Sequence, residues 1–555
     1  MEQIWLKSYP KVTPPVINIE QYQSVVHVFE VSCRRFASNK SFSNMGASLT
    51  YLDLQERSDA FAAFLQNDLK LKKGDRIALQ MPNLLQYPIA LLGALKAGLI
   101  IVNTNPLYTE REMQFQFKDS GCKAIVILAN FACNLEKIIK QTDIEHVIVT
   151  EVGDQLGFAK GLLVNTVLRH VKKMVPAFNL PKAIKFNEAL RKGQSSKLTK
   201  VNLNLDDTAF LQYTGGTTGV SKGAVLTHRN IVANMEQISS WMIPLLKEGE
   251  EVVIAALPMY HIFCMTVNGL AITKIGGHNI LITNPKDIAG FIKTLRTTKF
   301  TVGTGVNTLF NALMNHPDFK KIDFKPLKVS VAGGMALQTA VAKRWKEETK
   351  SPIVEGYGLT EASPVVCCNP IDGTDRVGTV GLPLPSTDVQ LRDDDNKEVA
   401  PGESGELCVR GPQVMKGYWN RPDETAKVMT SDGWLKTGDI AVVDREGFFK
   451  IVDRKKDMIL VSGFNVYPNE VEDVIALHPG VLEVAAVGIP DQHSGEVVKI
   501  FVVKRDPSLT EEQILQHARK SLTGYKMPKL VEFRSELPKT NVGKILRRAL
   551  REPNS

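Results

Sequence analysis

The sequence predicts an α/β fold built on doubly wound parallel sheets, followed by a β-rich region and a small α+β domain. Three observations carry this. Short β-branched runs in the middle of the chain each end in a glycine turn, the texture changes at about Thr374, and a charged stretch at 453–457 precedes a renewed mixture of helix and strand.

Among the runs, Asp207 to Tyr213 leads into TGGTTG, Val252 to Leu257 ends at Pro258, and Phe300 to Val302 ends at GTGV. Lys328 to Ala332 ends at Gly333-Gly334, and Pro352 to Glu355 ends at Gly356-Tyr357-Gly358. Such runs separated by helical segments are the pattern of βαβ units. Ligands of these sheets bind beyond the carboxyl ends of the strands, where the glycine turns fall, so one crevice is expected. From Thr374, glycine and proline recur every few residues (GTVGLPLP, PGESGELCVRGP), which predicts short antiparallel strands. The apolar run Pro88 to Val102 is interrupted by Lys96 and is shorter than the roughly 20 residues of a bilayer span; it reads as a buried helix entering a core strand.

The composition excludes several classes. With 555 residues, 43% apolar and 23% charged, the chain can bury large cores and is neither disordered nor fibrous. A mean hydropathy of −0.08 speaks against a polytopic membrane protein. The start, MEQIWLKSYPKV, lacks a basic head followed by an apolar stretch, so no signal peptide is expected. The seven cysteines form no CxxC pair, and no two of the ten histidines stand three or four apart, which argues against a zinc site and for a reducing, cytoplasmic setting.

The net charge of +9 is unevenly placed. Leu168 to Lys200 holds nine Lys/Arg against Glu188, and Arg519 to Ser555 holds ten against three Glu, which leaves −6 for the rest. Helical spacing over 158–176 puts Leu163, Val164, Val167, Leu168, Val171, Met174 and Val175 on one arc, with Arg169, Lys172 and Lys173 opposite. That pattern suits an interfacial helix on anionic lipid, with 158–200 as peripheral membrane contact, and equally a surface helix docked on its own domain. No aromatic residues interleave the patch densely, so nucleic acid is not an expected partner.

The strongest chemical signal is Tyr213-Thr214-Gly215-Gly216-Thr217-Thr218-Gly219-Val220-Ser221-Lys222-Gly223, followed by Ala224, directly after a strand. Its glycines let consecutive N–H groups form an anion nest, its hydroxyls add donors, and Lys222 adds a mobile charge; this is phosphate-cradling chemistry. It is not a Walker A loop, because Lys222 follows Ser221 and no hydroxyl residue comes after it. Gly303-x-Gly305 is no dinucleotide fingerprint either, since Thr308 stands where the third glycine belongs.

With YGLTE at 357–361, DGWLKTGD at 432–439, DRKKDMILVSGFNVYPNEVE at 453–472 and PKTNVGKILRR at 538–548 following in order, the chain resembles the adenylate-forming acyl-CoA synthetase superfamily from about residue 30 onward. Its overall character is that of the bacterial long-chain fatty-acid–CoA ligases. The resemblance implies an N-terminal domain, 1–452, of two doubly wound sheets plus a small β-barrel (about 374–452), a hinge at 453–457, and a mobile C-terminal domain, 458–555. It implies ATP, Mg2+ and coenzyme A, and a two-step reaction. A fatty carboxylate attacks the α-phosphate of ATP, releasing pyrophosphate and forming an acyl-adenylate, and the thiol of coenzyme A then displaces AMP. An adenylate former acting on another acid, or passing its acyl group to a carrier protein, is the alternative.

By the same resemblance, Thr214 and Glu361 hold Mg2+, and Tyr357 stacks on adenine against Gly333, Gly334, Glu355, Gly356, Gly358 and Thr360. Asp439 binds the ribose, although Gly438-Asp439 read alone is simply a turn, and Arg454 makes a second ribose or phosphate contact. Lys544 is the catalytic lysine of adenylation; by its surroundings it is one cation among ten in a basic tail. Lys456 is the hinge residue, about which rotation brings Gly463 and Phe464 beside the pantetheine channel. His261 flanks the carboxylate end of the acyl pocket without acting as a base, since a fatty carboxylate is already ionised at neutral pH. Thr301 to Phe310, with Gly305 and Val306, lines an acyl tunnel or is ordinary sheet core.

Overall fold

A computed structural model describes residues 3–214 and 221–551. Two large sheets form its body. The first has nine strands in the order Leu382–Pro383, Val365–Cys368, Ile353–Gly358, Val329–Gly333, Val302–Gly305, Val252–Ala255, His278–Leu281, Lys40–Asn44 and Ala47–Thr50. Its five central strands, from Ile353–Gly358 to His278–Leu281, are mutually parallel. The second has eight strands, with Thr208–Thr214 lying between Ile100–Asn103 and the antiparallel Lys222–Thr227. Helices cover both, the arrangement that β-branched strands buried on two faces require. The run Pro88–Val102 is accounted for by the fully buried helix Gln86–Lys96 and the buried strand Ile100–Asn103.

The β-rich region is a four-stranded antiparallel sheet of Asp388–Arg392, Gly405–Arg410, Leu435–Val443 and Phe449–Arg454. Beyond it, Phe464–Val466, Ile459–Val461, Gly495–Lys504, Val481–Asp491 and Leu530–Arg534 form a five-stranded sheet with its own apolar core, including Ile459, Val471, Ile500 and Ile514.

Two helices position the site. His228–Met242 leaves the strand Lys222–Thr227 through a capping box in which Thr227 and Asn230 satisfy each other's backbone N–H groups. The nine-residue π-helix Cys264–Ile272 is buried throughout and packs against it.

The 158–176 segment departs from the expected continuous helix. An α-helix, Phe158–Thr166, passes into a π-turn at Val167–Val171, and Lys173 takes a positive φ of 51°. The helix docks by its small side: a Cβ on Gly161 would come within 2.4 Å of the Gly153 carbonyl, and Asn165 accepts the Gly153 N–H at 2.7 Å. The apolar arc is only partly covered: Val164, Val167, Leu168 and Val175 are half-buried, while Leu163, Val171 and Met174 are exposed, as are Phe158 and Leu162, which lie off the arc. Phe158 is 90% exposed, Leu162 61%, Leu163 64% and Val171 73%. Among the described residues, no helix is long and apolar enough to cross a membrane.

Candidate active site

A cavity of about 790 Å³ opens beyond the carboxyl ends of the central strands. Its polar end gathers Thr214, Lys222, Tyr357, Glu361, Asp439 and Lys544, and its other end is apolar. Residues more than three hundred positions apart thus meet in one crevice.

Thr208–Thr214 and Lys222–Thr227 pair Tyr213 with Gly223 and Thr214 with Lys222; the intervening Gly215, Gly216, Thr217, Thr218, Gly219 and Val220 lie outside the described residues. Ser221 Oγ donates to the Thr214 carbonyl at 2.6 Å, closing the base of the loop. A Cβ on Gly223 would meet the Tyr213 ring at 3.0 Å, so glycine lets that ring lie flat while its hydroxyl donates to Asp119 at 2.7 Å. Ala224 is fully buried one position on. The Lys222 ammonium is taken by Glu424 at 2.8 Å and sits 4.6 Å from the Tyr418 ring centre. Hydrogen bonding from Lys222, then from Lys427, holds the Glu424 carboxyl down at about 2.

On the opposite wall, Tyr357 donates its hydroxyl to Asp439 at 2.6 Å, and the Arg454 guanidinium lies 3.4 Å from the other carboxylate oxygen. Burial raises the Asp439 carboxyl, and Arg454 opposes that shift. Gly333 and Gly356 are in register; a Cβ on Gly333 would be 3.2 Å from the Gly356 carbonyl, and one on Gly358 only 2.1 Å from that of Pro364. No side chain fits at Gly358. Thr360–Ala362 form a short 3₁₀ turn that presents Glu361, one oxygen of which accepts the Tyr418 hydroxyl at 2.7 Å. Glu355 differs from its expected place: it is buried behind the cavity wall, accepting the Leu337 N–H at 3.0 Å, and burial pushes its carboxyl up to about 8.

Lys544 reaches the cavity from the C-terminal region. Gly543, at φ +83°, turns the chain and is held by Thr308, whose hydroxyl donates to the Gly543 carbonyl at 3.0 Å. Gly334, at φ +81°, leaves room for the lysine: a Cβ there would be 3.1 Å from Lys544 Cε. Burial lowers the Lys544 ammonium to about 8, assisted by the Arg454 charge and opposed by Asp439. His261 lines the cavity nearby, and burial with the Lys544 charge holds its imidazole down at about 3, so it is neutral at pH 7.

Other expected residues lie elsewhere. Gly305 is not in the cavity wall, because strand alternation turns Val302 and Thr304 into it instead, and a Cβ on Gly305 would meet the Phe310 ring at 3.0 Å; Val306, just past the strand end, lies against Gly543, where an added Cβ would be 3.2 Å from it. Phe464 is 56% exposed and stacks on Tyr525 at 4.8 Å, away from the cavity, with Gly463 beside it at φ +83°. Lys456 lines a small recess with Gly438, Asp439 and Arg454. Tyr418, Arg421, Glu424, Lys436 and Thr437 also line the cavity and carried no separate signal in the sequence.

The match to the AMP-binding enzyme family model covers residues 29–419, and the AMP-binding enzyme C-terminal domain model covers 470–544. The chain is 59% identical over 552 residues to a long-chain-fatty-acid–CoA ligase of Escherichia coli O157:H7, covering 100% of this chain and 98% of that protein. It is 40% identical to the Bacillus subtilis (strain 168) protein of the same name, covering 99% and 97%. A benzoate CoA ligase from Burkholderia xenovorans LB400 superposes with a TM-score of 0.82 at 26% identity, over 96% of this chain and 100% of that one. The strand pair Thr208–Thr214 and Lys222–Thr227, the crevice at the strand ends and a lysine brought in from the C-terminal region are thus joined by full-length similarity, and the chain belongs to the AMP-binding enzyme family.

Proposed function

We infer that the chain activates long-chain fatty acids to acyl-CoA through an acyl-adenylate, releasing AMP and pyrophosphate. The observation that carries this reading is the cavity whose polar end holds Lys544, Tyr357 and Asp439 and whose far end is apolar. ATP and coenzyme A are the cosubstrates of this ligase family.

In this reading the Lys544 ammonium, mostly charged at pH 7, draws the fatty carboxylate and the α-phosphate together and stabilises the charge that builds between them. Tyr357 faces the adenine, Asp439 and Arg454 take the ribose, and Ser221, Lys222 and the loop before them cradle the phosphates. Neutral His261 shapes the carboxylate end of the acyl pocket. The Thr214 hydroxyl and the Glu361 carboxylate suit Mg2+, a hard ion that takes few protein ligands and keeps waters and substrate phosphates. Among the described residues, no group of three or more His, Cys, Asp or Glu offers a rival metal site. Bound there, Mg2+ would neutralise phosphate charge. The chain divides at 453–457, and rotation about Lys456 withdraws Lys544 and brings Gly463 and Phe464 toward the cavity for the thiol step.

Contact with a membrane surface through the 158–176 segment is part of this proposal. It is supported by the exposed Phe158, Leu162 and Leu163 beside the exposed Lys172 and Lys173. Arg169 is removed from that basic set, because its guanidinium is bound by Glu151.

Pyrophosphate release measured with saturated acids from C2 to C18, with and without coenzyme A, tests the function. Release that is strongest with long acids, and acyl-CoA formed only when coenzyme A is present, supports it. Adenylate that accumulates and is not discharged by coenzyme A would instead point to a carrier-protein acceptor.

A further inference from the structure

We propose that three valines in register, Val253, Val302 and Val329, form a constriction in the acyl chamber that sets the response to chain length. The parallel register places Val253 opposite Val302 and Val302 opposite Val329, and all three side chains face the cavity. One rung nearer the strand ends, Thr304 stands opposite Val331; one rung further, Gly333 stands opposite Gly356. Side-chain bulk thus rises from two glycines where Lys544 enters to branched side chains at Thr304 and Val331, and stays branched, now wholly apolar, along the row of three valines.

From the level of Gly333 to that of Val329 is four residues, about 13 Å at the rise of an extended strand. An extended hydrocarbon with carbon–carbon bonds of ~1.5 Å places roughly ten methylenes in that distance. A medium-length acid with its carboxylate at Lys544 therefore ends above the valines, and a long one must pass between them and the facing helix. That facing wall is fixed, since Trp241, which lines the chamber, donates its indole N–H to the Asn369 carbonyl at 3.0 Å. Space continues past the valines to Leu246, Ile272 and Ile371. Valine is stiff at χ1 and these three are buried in a parallel sheet, so bulk added there projects into the chamber.

The assignment rests on the fatty-acid reading above, and the experiment separates the two. The full-length enzyme is assayed with C6 to C18 acids as wild type, Val329→Phe and Val329→Ile, with thermal unfolding recorded for each. Wild type inactive on every long acid overturns the functional reading itself. With wild type active on C16, Val329→Phe should lower kcat/KM for C16 at least tenfold more than for C8, and Val329→Ile should lower it about threefold more. An unchanged C16-to-C8 ratio in a folded variant, or an equal fall at every length, overturns the constriction and leaves the function standing. Val329→Ile adds a single methylene, so its ratio decides the matter if the phenylalanine variant does not fold.

Discussion

Lys544 is the residue at which the proposed half-reactions would separate. The backbone that carries it is held at Gly543 by the Thr308 hydroxyl, and among the described residues no other cation of the basic C-terminal tail lines the cavity. Lys544→Ala should abolish pyrophosphate exchange while leaving thioester formation from supplied acyl-adenylate within a few-fold of wild type; equal loss of both would remove the assigned role. Its pKa lies below the ordinary lysine value, at about 8, so the charge is present below that pH and disappears as pH rises through it. In the free enzyme, kcat/KM for adenylation should accordingly fall above pH 8, and a flat profile to pH 9.5 would contradict this. Glu355 titrates in the opposite sense for stability. Its folded pKa of about 8 exceeds the ordinary 4.5, so the folded state keeps a proton that the unfolded chain gives up, and stability falls as pH climbs between those values. Glu355→Gln keeps an oxygen for the Leu337 N–H, and should raise Tm more at pH 8 than at pH 5 in a melting series.

At the scale of elements, the strand ends decide what reaches the crevice. Gly334 follows its strand at φ +81° with Lys544 against it. Gly334→Ala forces a side chain into the left-handed region, at a cost of about 1–2 kcal/mol, and crowds the lysine as well. Adenylation should fall at least tenfold with much less effect on the thioester step, which parallel half-reaction assays would show. The same elements explain what was legible in the sequence. The β-branched strands and the glycine turns at Gly333-Gly334 and Gly356–Gly358 are local patterns, and they lie where the sequence places them. The acyl chamber does not take in Gly305, which the sequence reading expects in its wall. Which face of Val302–Gly305 looks into the cavity depends on its register with Val252–Ala255 and Val329–Gly333, and register is fixed by sheet packing, not by any one run of residues. Glu355 was drawn into the site by adjacency to Gly356, yet alternation along the same strand sends it behind the wall. Tyr418 and Glu424 were invisible for a similar reason, as their place beside Glu361 and Lys222 exists only once distant strands pair.

For the whole molecule, the question is what holds Lys544 in place and where the remaining basic charge points. Polar contacts join the C-terminal region to the body at several points besides Thr308 and Gly543. Asp473 accepts the Thr339 N–H at 3.0 Å, Asn311 donates to the Leu482 carbonyl at 2.9 Å, and Arg547 links Asp453 and Glu472 at 3.1 and 2.8 Å. A hydrogen bond to a charged group contributes about 1.5–3 kcal/mol, so Asp473→Ala should slow adenylation roughly tenfold by loosening the docked arrangement. Thioester formation from supplied acyl-adenylate should be spared, and equal slowing of both steps would mean a general loss of structure. The net +9 then resolves into two basic segments with different surroundings. One carries Lys544 into the cavity, and its Arg547 is spent on Asp453 and Glu472. The other surrounds an apolar face that the fold leaves exposed, with Arg169 neutralised by Glu151 and with Lys172 and Lys173 open to solvent. An interfacial helix needs both apolar burial and charge attraction, and only the latter is screened by salt. Lys172→Gln with Lys173→Gln should therefore weaken binding to anionic phospholipid vesicles at low salt and have little effect at high salt. Phe158→Ser with Leu162→Ser should weaken it at both. Vesicle sedimentation that is indifferent to both pairs would assign the exposed face to some other partner.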